Sequence, residues 1–190
     1  PPPAPRFLVD IGGMCSGAQW IASPNCDERP EDARVELLVV HNISLPPGEF
    51  GGPWVTDLFL DRLHPGADPY FAGLAGVRVS AHFFIDRDGA VIQYVPCELR
   101  AWHAGASSWK GRERCNDFSV GIELEGTDYW PFTDAQYGSL GELTRALFAR
   151  AGFVDDERTA VDGLAVHAAD GGLRGFDRAH LDEAEALRAA

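Results

Sequence analysis

Leu37-Leu38-Val39-Val40 is a β-branched-rich apolar run bounded by polar residues within Glu36–Ile43. It is too short for a core helix and predicts a strand buried on both faces. Residues 46–53 are dense in Pro and Gly and read as a loop. From Trp54 to Leu63 the apolar residues Trp54, Val55, Leu58, Phe59 and Leu63 follow helical spacing. Val79–Ile85 and Ala90–Val95 flank Asp86-Arg87-Asp88-Gly89, and the Asp-Gly pair predicts a hairpin. Phe118–Leu124 alternates, with Val120, Ile122 and Leu124 on one face and Gly121, Glu123 and Glu125 on the other. Thr133-Asp134-Ala135-Gln136 has the form of a capping box. Tyr137, Leu140, Leu143, Leu147 and Phe148 then keep helical spacing up to Gly152. Leu164–His167 predicts a last strand and Leu181–Ala189 a C-terminal helix. Residues 1–34, rich in Pro, Gly, Asn and Asp, read as irregular chain over the surface, with a turn at Ser23-Pro24-Asn25. Strands and helices alternate irregularly, so the class is α/β or α+β with a mixed sheet. We expect one domain over 1–190, with the irregular segment at 1–34 and the core at 35–190.

Charge and composition narrow the partners. The net charge of −13 argues against nucleic acid, whose binders need a basic surface, and against an anionic membrane. No apolar run reaches the roughly 20 residues that span a bilayer, and no signal peptide is visible, so a cytoplasmic protein is expected. Cys15, Cys26, Cys97 and Cys115 are widely spaced, without a C-x-x-C pair. They read as reduced thiols, with a Cys15–Cys26 bridge as the alternative.

Six histidines are the first candidates for chemistry. His41 ends the Leu37–Val40 strand before a loop, and His167 ends Leu164–Val166 before a Gly-rich stretch. Sites gather where strands end in loops. Two such imidazoles with Asp177, ten residues beyond His167, could form a two-His, one-carboxylate zinc site open to water. His64 lies in a turn and is expected to be exposed. His82 is expected to pack inside a strand, satisfied by a hydrogen bond. His103, after Trp102, either lines a pocket or caps a core. His180 lies near a helix start. Glu123 either faces solvent beside Glu125 or serves as a general base at a metal site.

Longer strings carry a resemblance. Leu38-Val39-Val40-His41-Asn42-Ile43-Ser44-Leu45-Pro46-Pro47-Gly48-Glu49-Phe50-Gly51-Gly52 resembles the first-ligand region of the zinc N-acetylmuramoyl-L-alanine amidases. Within them it is most similar to the AmpD-like amidases of anhydro-muropeptide recycling. The likeness continues through Pro69–Leu74, Arg78–His82 and Arg100–Gly105, and is strongest over Gly111–Asp128. Phe132–Tyr137 fits as well, so these blocks cover most of residues 20–150.

The resemblance implies an α/β fold, a central mixed sheet with helices against it, shared with peptidoglycan-recognition proteins. It implies zinc-dependent hydrolysis of the amide between the lactyl group of N-acetylmuramic acid and L-alanine, in the cytoplasm and on anhydro-muropeptides; separately, a monomer is expected. His41 matches the first ligand and Glu123 the catalytic carboxylate. Asn42, Arg78, Trp102 and Arg114 match positions near substrate.

The C-terminal part departs from the family. In ungapped register His167 matches the second ligand, Asp177 the third and Arg174 the family's arginine. The lysine expected two residues before the aspartate is Gly175, and the Pro-Gly-Pro that follows is gone. Either Arg174 supplies the missing catalytic charge, or the site is incomplete and the chain only binds muropeptides. Asp170, three residues beyond His167, is a rival third ligand, and Asp177 could instead cap a helix near His180. An amidase acting on intact cell wall is a third reading, disfavoured by the missing signal sequence.

Overall fold

A computed structural model describes residues 3–150 with their side chains, and the backbone of 164–167 and 173–176. The central sheet has seven strands: β1 (Gln19–Trp20), β2 (Leu37–Ile43), β3 (Phe83–Ile85), β4 (Val91–Gln93), β5 (Ser119–Glu125), β6 (Leu164–His167) and β7 (Leu173–Phe176). Their order is β7-β6-β2-β5-β3-β4-β1. Pairings β6–β2, β2–β5, β5–β3 and β4–β1 are parallel, whereas β6–β7 and β3–β4 are antiparallel, so the sheet is mixed as expected.

The alternation along β2 and β5 divides the core. Leu38, Val40, Val120, Ile122 and Leu124 pack towards helix α2 (Asp134–Ala149), against Leu143 and Leu147. Leu37 and Val39 meet Ala104, Cys115 and Phe118 on the opposite side. Burying each such side chain contributes about 1.5–3 kcal/mol. Helix α1 (Trp54–Phe59) closes a further cluster with Phe71, Phe84 and Tyr94.

The capping box is present and also fastens the helix to the sheet. Thr133 Oγ1 accepts the Gln136 N–H at 3.1 Å, and Gln136 Oε1 accepts the Thr133 N–H at 3.0 Å. Gln136 Nε2 donates to the carbonyls of Glu125 and Ile85, at the ends of β5 and β3. The hairpin turns where expected: Asp86 Oδ1 accepts from the N–H groups of Asp88 and Ala90, and Gly89 takes φ 78°. A Cβ at Gly89 would stand 2.6 Å from the Ala135 carbonyl oxygen, so α2 could not approach.

Several element bounds differ from expectation. The hairpin strands and α1 are shorter, and α2 ends at Ala149 rather than Gly152. The N-terminal segment is not irregular. Leu8–Val9 pairs with Cys15–Ser16, Gln19–Trp20 is an edge strand of the main sheet, and Cys26–Glu28 pairs with Leu99–Ala101. Strands of two or three residues show no readable alternation, and these are held by distant partners. Gln93 Oε1 accepts the Cys15 N–H, and the Arg29 guanidinium donates to the carbonyls of Cys97, Asn116, Asp117 and Ser119. All four cysteines are free thiols, so the Cys15–Cys26 bridge is not formed. Burial pushes Cys15 up to about 11 and Cys97 up to about 12, which leaves both inert near neutral pH. The C-terminal helix expected at 181–189 lies outside the described residues.

Candidate active site

Strand register assembles the first part of the site. Glu123 on β5 is the Cα partner of His41 on β2. Val166 on β6 is the partner of Val40, so the backbone of His167 follows at the position beside His41. One row at the C-terminal ends of three parallel strands therefore carries Glu123, His41 and His167. Arg174 on β7 pairs with Val166, and Gly175 with Ala165. Asp177, Asp170 and His180 lie outside the described residues.

Glu123 does not face solvent. It is 8% exposed, on the strand face that carries Val39 and Gly121. Desolvation by burial pushes its carboxyl up to about 8. Its Oε2 has no hydrogen-bond partner among the described residues. A buried, unsatisfied carboxylate oxygen costs free energy and is a mark of a functional carboxyl. Glu125, also buried, is structural: its carboxylate accepts from the N–H groups of Gly51 and Arg87.

His41 is 7% exposed, and its Nε2 lies 2.9 Å from His103 Nδ1. Among the described residues no group of three or more His, Cys, Asp or Glu side chains could hold a metal ion. His41 is the one expected ligand whose side chain is described. The donor chemistry still fits zinc at that end of the sheet, where a buried imidazole stands beside an unsatisfied carboxyl and a second histidine lies next in register. His64 is exposed, as expected, with its Nδ1 accepting the Gly66 N–H. His82 is buried and fully bonded just before β3, its Nδ1 accepting the Gly121 N–H and its Nε2 meeting the Leu99 carbonyl.

The four expected substrate residues fall into two places. Asn42 follows His41 and donates to Asp128 Oδ1 at 2.9 Å. With His41, Tyr129, Trp130 and Phe132 they line a cleft of about 400 Å³. Arg78, Trp102 and Arg114 belong to one network that runs through Asp27, Arg100 and Asp117. The Arg78 guanidinium lies 5.6 Å over the Trp102 ring, and its Nε donates to Asn25 Oδ1. Trp102 Nε1 donates to Asp27 Oδ1 at 3.0 Å. Arg100 grips Asp27 through two nitrogens, holding its carboxyl below the usual range, and also pairs with Asp117. Arg114, at φ 62°, pairs with Asp117 at 3.3 Å.

Asp27, Asn25, Asp128 and Trp130 are site-shaping residues that sequence reasoning missed. Asp27 and Asn25 sit in the segment read as irregular, and nothing in local pattern links Asp27 to Trp102, 75 positions away.

Comparison with known proteins gives a consistent picture. The model of the N-acetylmuramoyl-L-alanine amidase family matches residues 31–182. The chain is 61% identical over 144 residues to the 1,6-anhydro-N-acetylmuramyl-L-alanine amidase AmpD of Citrobacter freundii, covering 76% of each chain. It is 61% identical over 135 residues to the AmpD of Escherichia coli K12, covering 71% of this chain and 74% of that one. A crystal structure of a selenomethionyl AmpD derivative superposes with a TM-score of 0.81 at 50% identity, over 93% of this chain and 98% of the other.

Proposed function

The chain belongs to the N-acetylmuramoyl-L-alanine amidase family and is an amidase of that kind, and we propose that its substrate is a 1,6-anhydro-muropeptide, cut by a zinc-dependent reaction in cell-wall recycling. The substrate class is supported by relatives at 61% identity that are named for it. The reaction is supported above all by one observation: the buried Oε2 of Glu123, level with His41, has no hydrogen-bond partner among the described residues.

His41, His167 and Asp177 are the proposed ligands, with Asp170 as the rival to Asp177. Zinc bound there supplies Lewis acidity for the scissile carbonyl and activates water near neutral pH. Glu123 carries the proton. Its Oε2 takes it from the attacking water and returns it to the nitrogen of the departing L-alanine. The raised affinity of this carboxyl for protons suits the second half of that task. Arg174 supplies positive charge for the developing oxyanion in place of the lysine absent at Gly175. Asn42, held by Asp128, and the Arg78–Trp102–Arg114 network position the muropeptide.

The protein acts as a cytoplasmic monomer of one domain, with neither nucleic acid nor membrane as a partner. No helix among the described residues is long and apolar enough to cross a membrane. The net charge of −13 disfavours nucleic acid and an anionic membrane surface as partners.

The test is cleavage of a purified anhydro-muropeptide by the zinc-replete chain, followed as released peptide. Activity lost on chelation and restored by zinc is expected. Muropeptide binding without cleavage would replace this reading with that of a recognition module.

A further inference from the structure

The hydrogen bonds behind His41 fix where its proton sits. Ser119 Oγ has one hydrogen and lies 2.6 Å from the Cys115 carbonyl oxygen, which can only accept. The hydroxyl proton is therefore committed to Cys115. His103 Nε2, 3.1 Å from the same Oγ, must then be the donor to it. A neutral imidazole protonated at Nε2 presents a lone pair at Nδ1. That atom lies 2.9 Å from His41 Nε2, which accordingly donates. With its proton at Nε2, His41 presents its lone pair at Nδ1.

We infer that His103, backed by Ser119 and the Cys115 carbonyl, is a positioning residue that sets the tautomer and ring orientation of His41 and so makes Nδ1 its metal-binding atom. This rests on the reading of His41 as a zinc ligand. A ligating histidine commonly donates its other N–H to a carboxylate, a carbonyl or water. Here the acceptor is a second imidazole, itself held from behind by a serine.

The His103 backbone is anchored for the purpose. Its N–H and that of Ala104 both donate to Asn116 Oδ1, at 3.2 and 2.9 Å. Its ring meets His41 and His82 edge-on, with centroids 5.1 and 5.8 Å away. His82 is locked in turn, because the Gly121 N–H demands a lone pair at its Nδ1 and sends its proton from Nε2 to the Leu99 carbonyl.

The experiment pairs zinc titration of the whole chain with ring-nitrogen NMR of its histidines without metal. In the wild type, His41 is expected to be protonated at Nε2 and unprotonated at Nδ1. His103→Phe removes the acceptor and is expected to lower zinc affinity about 10–100-fold and to mix the His41 tautomers. His103→Gln, whose carbonyl can accept from His41 and whose amide can donate to Ser119, is expected to recover most of the affinity. Ser119→Ala, the mildest change, keeps the His103 ring but frees its tautomer, with an intermediate loss. A wild-type His41 protonated at Nδ1, or unchanged zinc affinity in both His103→Phe and Ser119→Ala, overturns the inference. A wild type that binds no zinc overturns instead the ligand assignment beneath it.

Discussion

Gly121 lies so close beneath the imidazole of His103 that a Cβ on it would stand 2.4 Å from the ring Cγ. The ring occupies the space that a side chain at the centre of β5 would otherwise fill. A glycine inside a central strand weakens it, and here it marks that close approach. Gly121→Ala is expected to push the ring off the strand and destabilise the chain by about 1–3 kcal/mol. Denaturant unfolding measures the cost. An alanine variant as stable as the wild type would contradict the packing.

Glu123→Gln is expected to lower turnover by about 10²–10⁴-fold while zinc stays bound, because the residue moves a proton and is not a ligand. Stability should hold or rise, since an amide is cheaper to bury than an unpartnered carboxyl. Near-normal turnover, or loss of the metal, would rule out the assigned role.

Acid should destabilise the chain through His82. Burial, with the Arg29 charge beside it, pushes this imidazole down to about 3. The unfolded chain takes up the proton first, near the ordinary histidine value of about 6.5. The stability held above that value is therefore lost as pH falls towards 3, at up to about 1.4 kcal/mol per pH unit. His82→Gln should unfold with a shallower acid slope, read from denaturant midpoints. The same slope in both chains would exclude His82 as the source.

Removing single ligands separates the carboxylates. His41→Ala, His167→Ala and Asp177→Ala are each expected to abolish stoichiometric zinc binding, measured by metal analysis after dialysis. Asp170→Ala should retain it. The reverse result for the two aspartates makes Asp170 the ligand.

The readable parts of this chain were those with local or repeating signals. The Leu37–Val40 run, the Asp88-Gly89 turn and the Thr133–Gln136 box each encode an element within a few residues, and each is present. The alternation in β5 placed Glu123 opposite Ile122, and the motif around it supplied its role. What alternation leaves open is whether a strand face meets water or protein, so the burial of both Glu123 and Glu125 needed the fold. The same holds for His103. Its sequence neighbours suggest a pocket or a cap, while its bond to His41, 62 positions away, depends on how two strands and a loop converge.

The family match opens at residue 31, but the folded unit does not. Asp27, which holds Trp102 and Arg100, lies before that point. So does Arg29, which gathers the carbonyls of Asn116 and Ser119, the two residues that orient His103. A chain trimmed to the matched span would keep every proposed catalytic group and lose the clamp that aims them. Shortening of this kind is safe only where the removed backbone is unburied and unbonded. Limited proteolysis should accordingly spare residues 19–30 in the intact protein, and a chain begun at residue 31 should melt earlier and bind zinc more weakly. The first thirty residues would then serve as a brace for the catalytic machinery, and the folded unit begins upstream of the residue at which the family model starts to match.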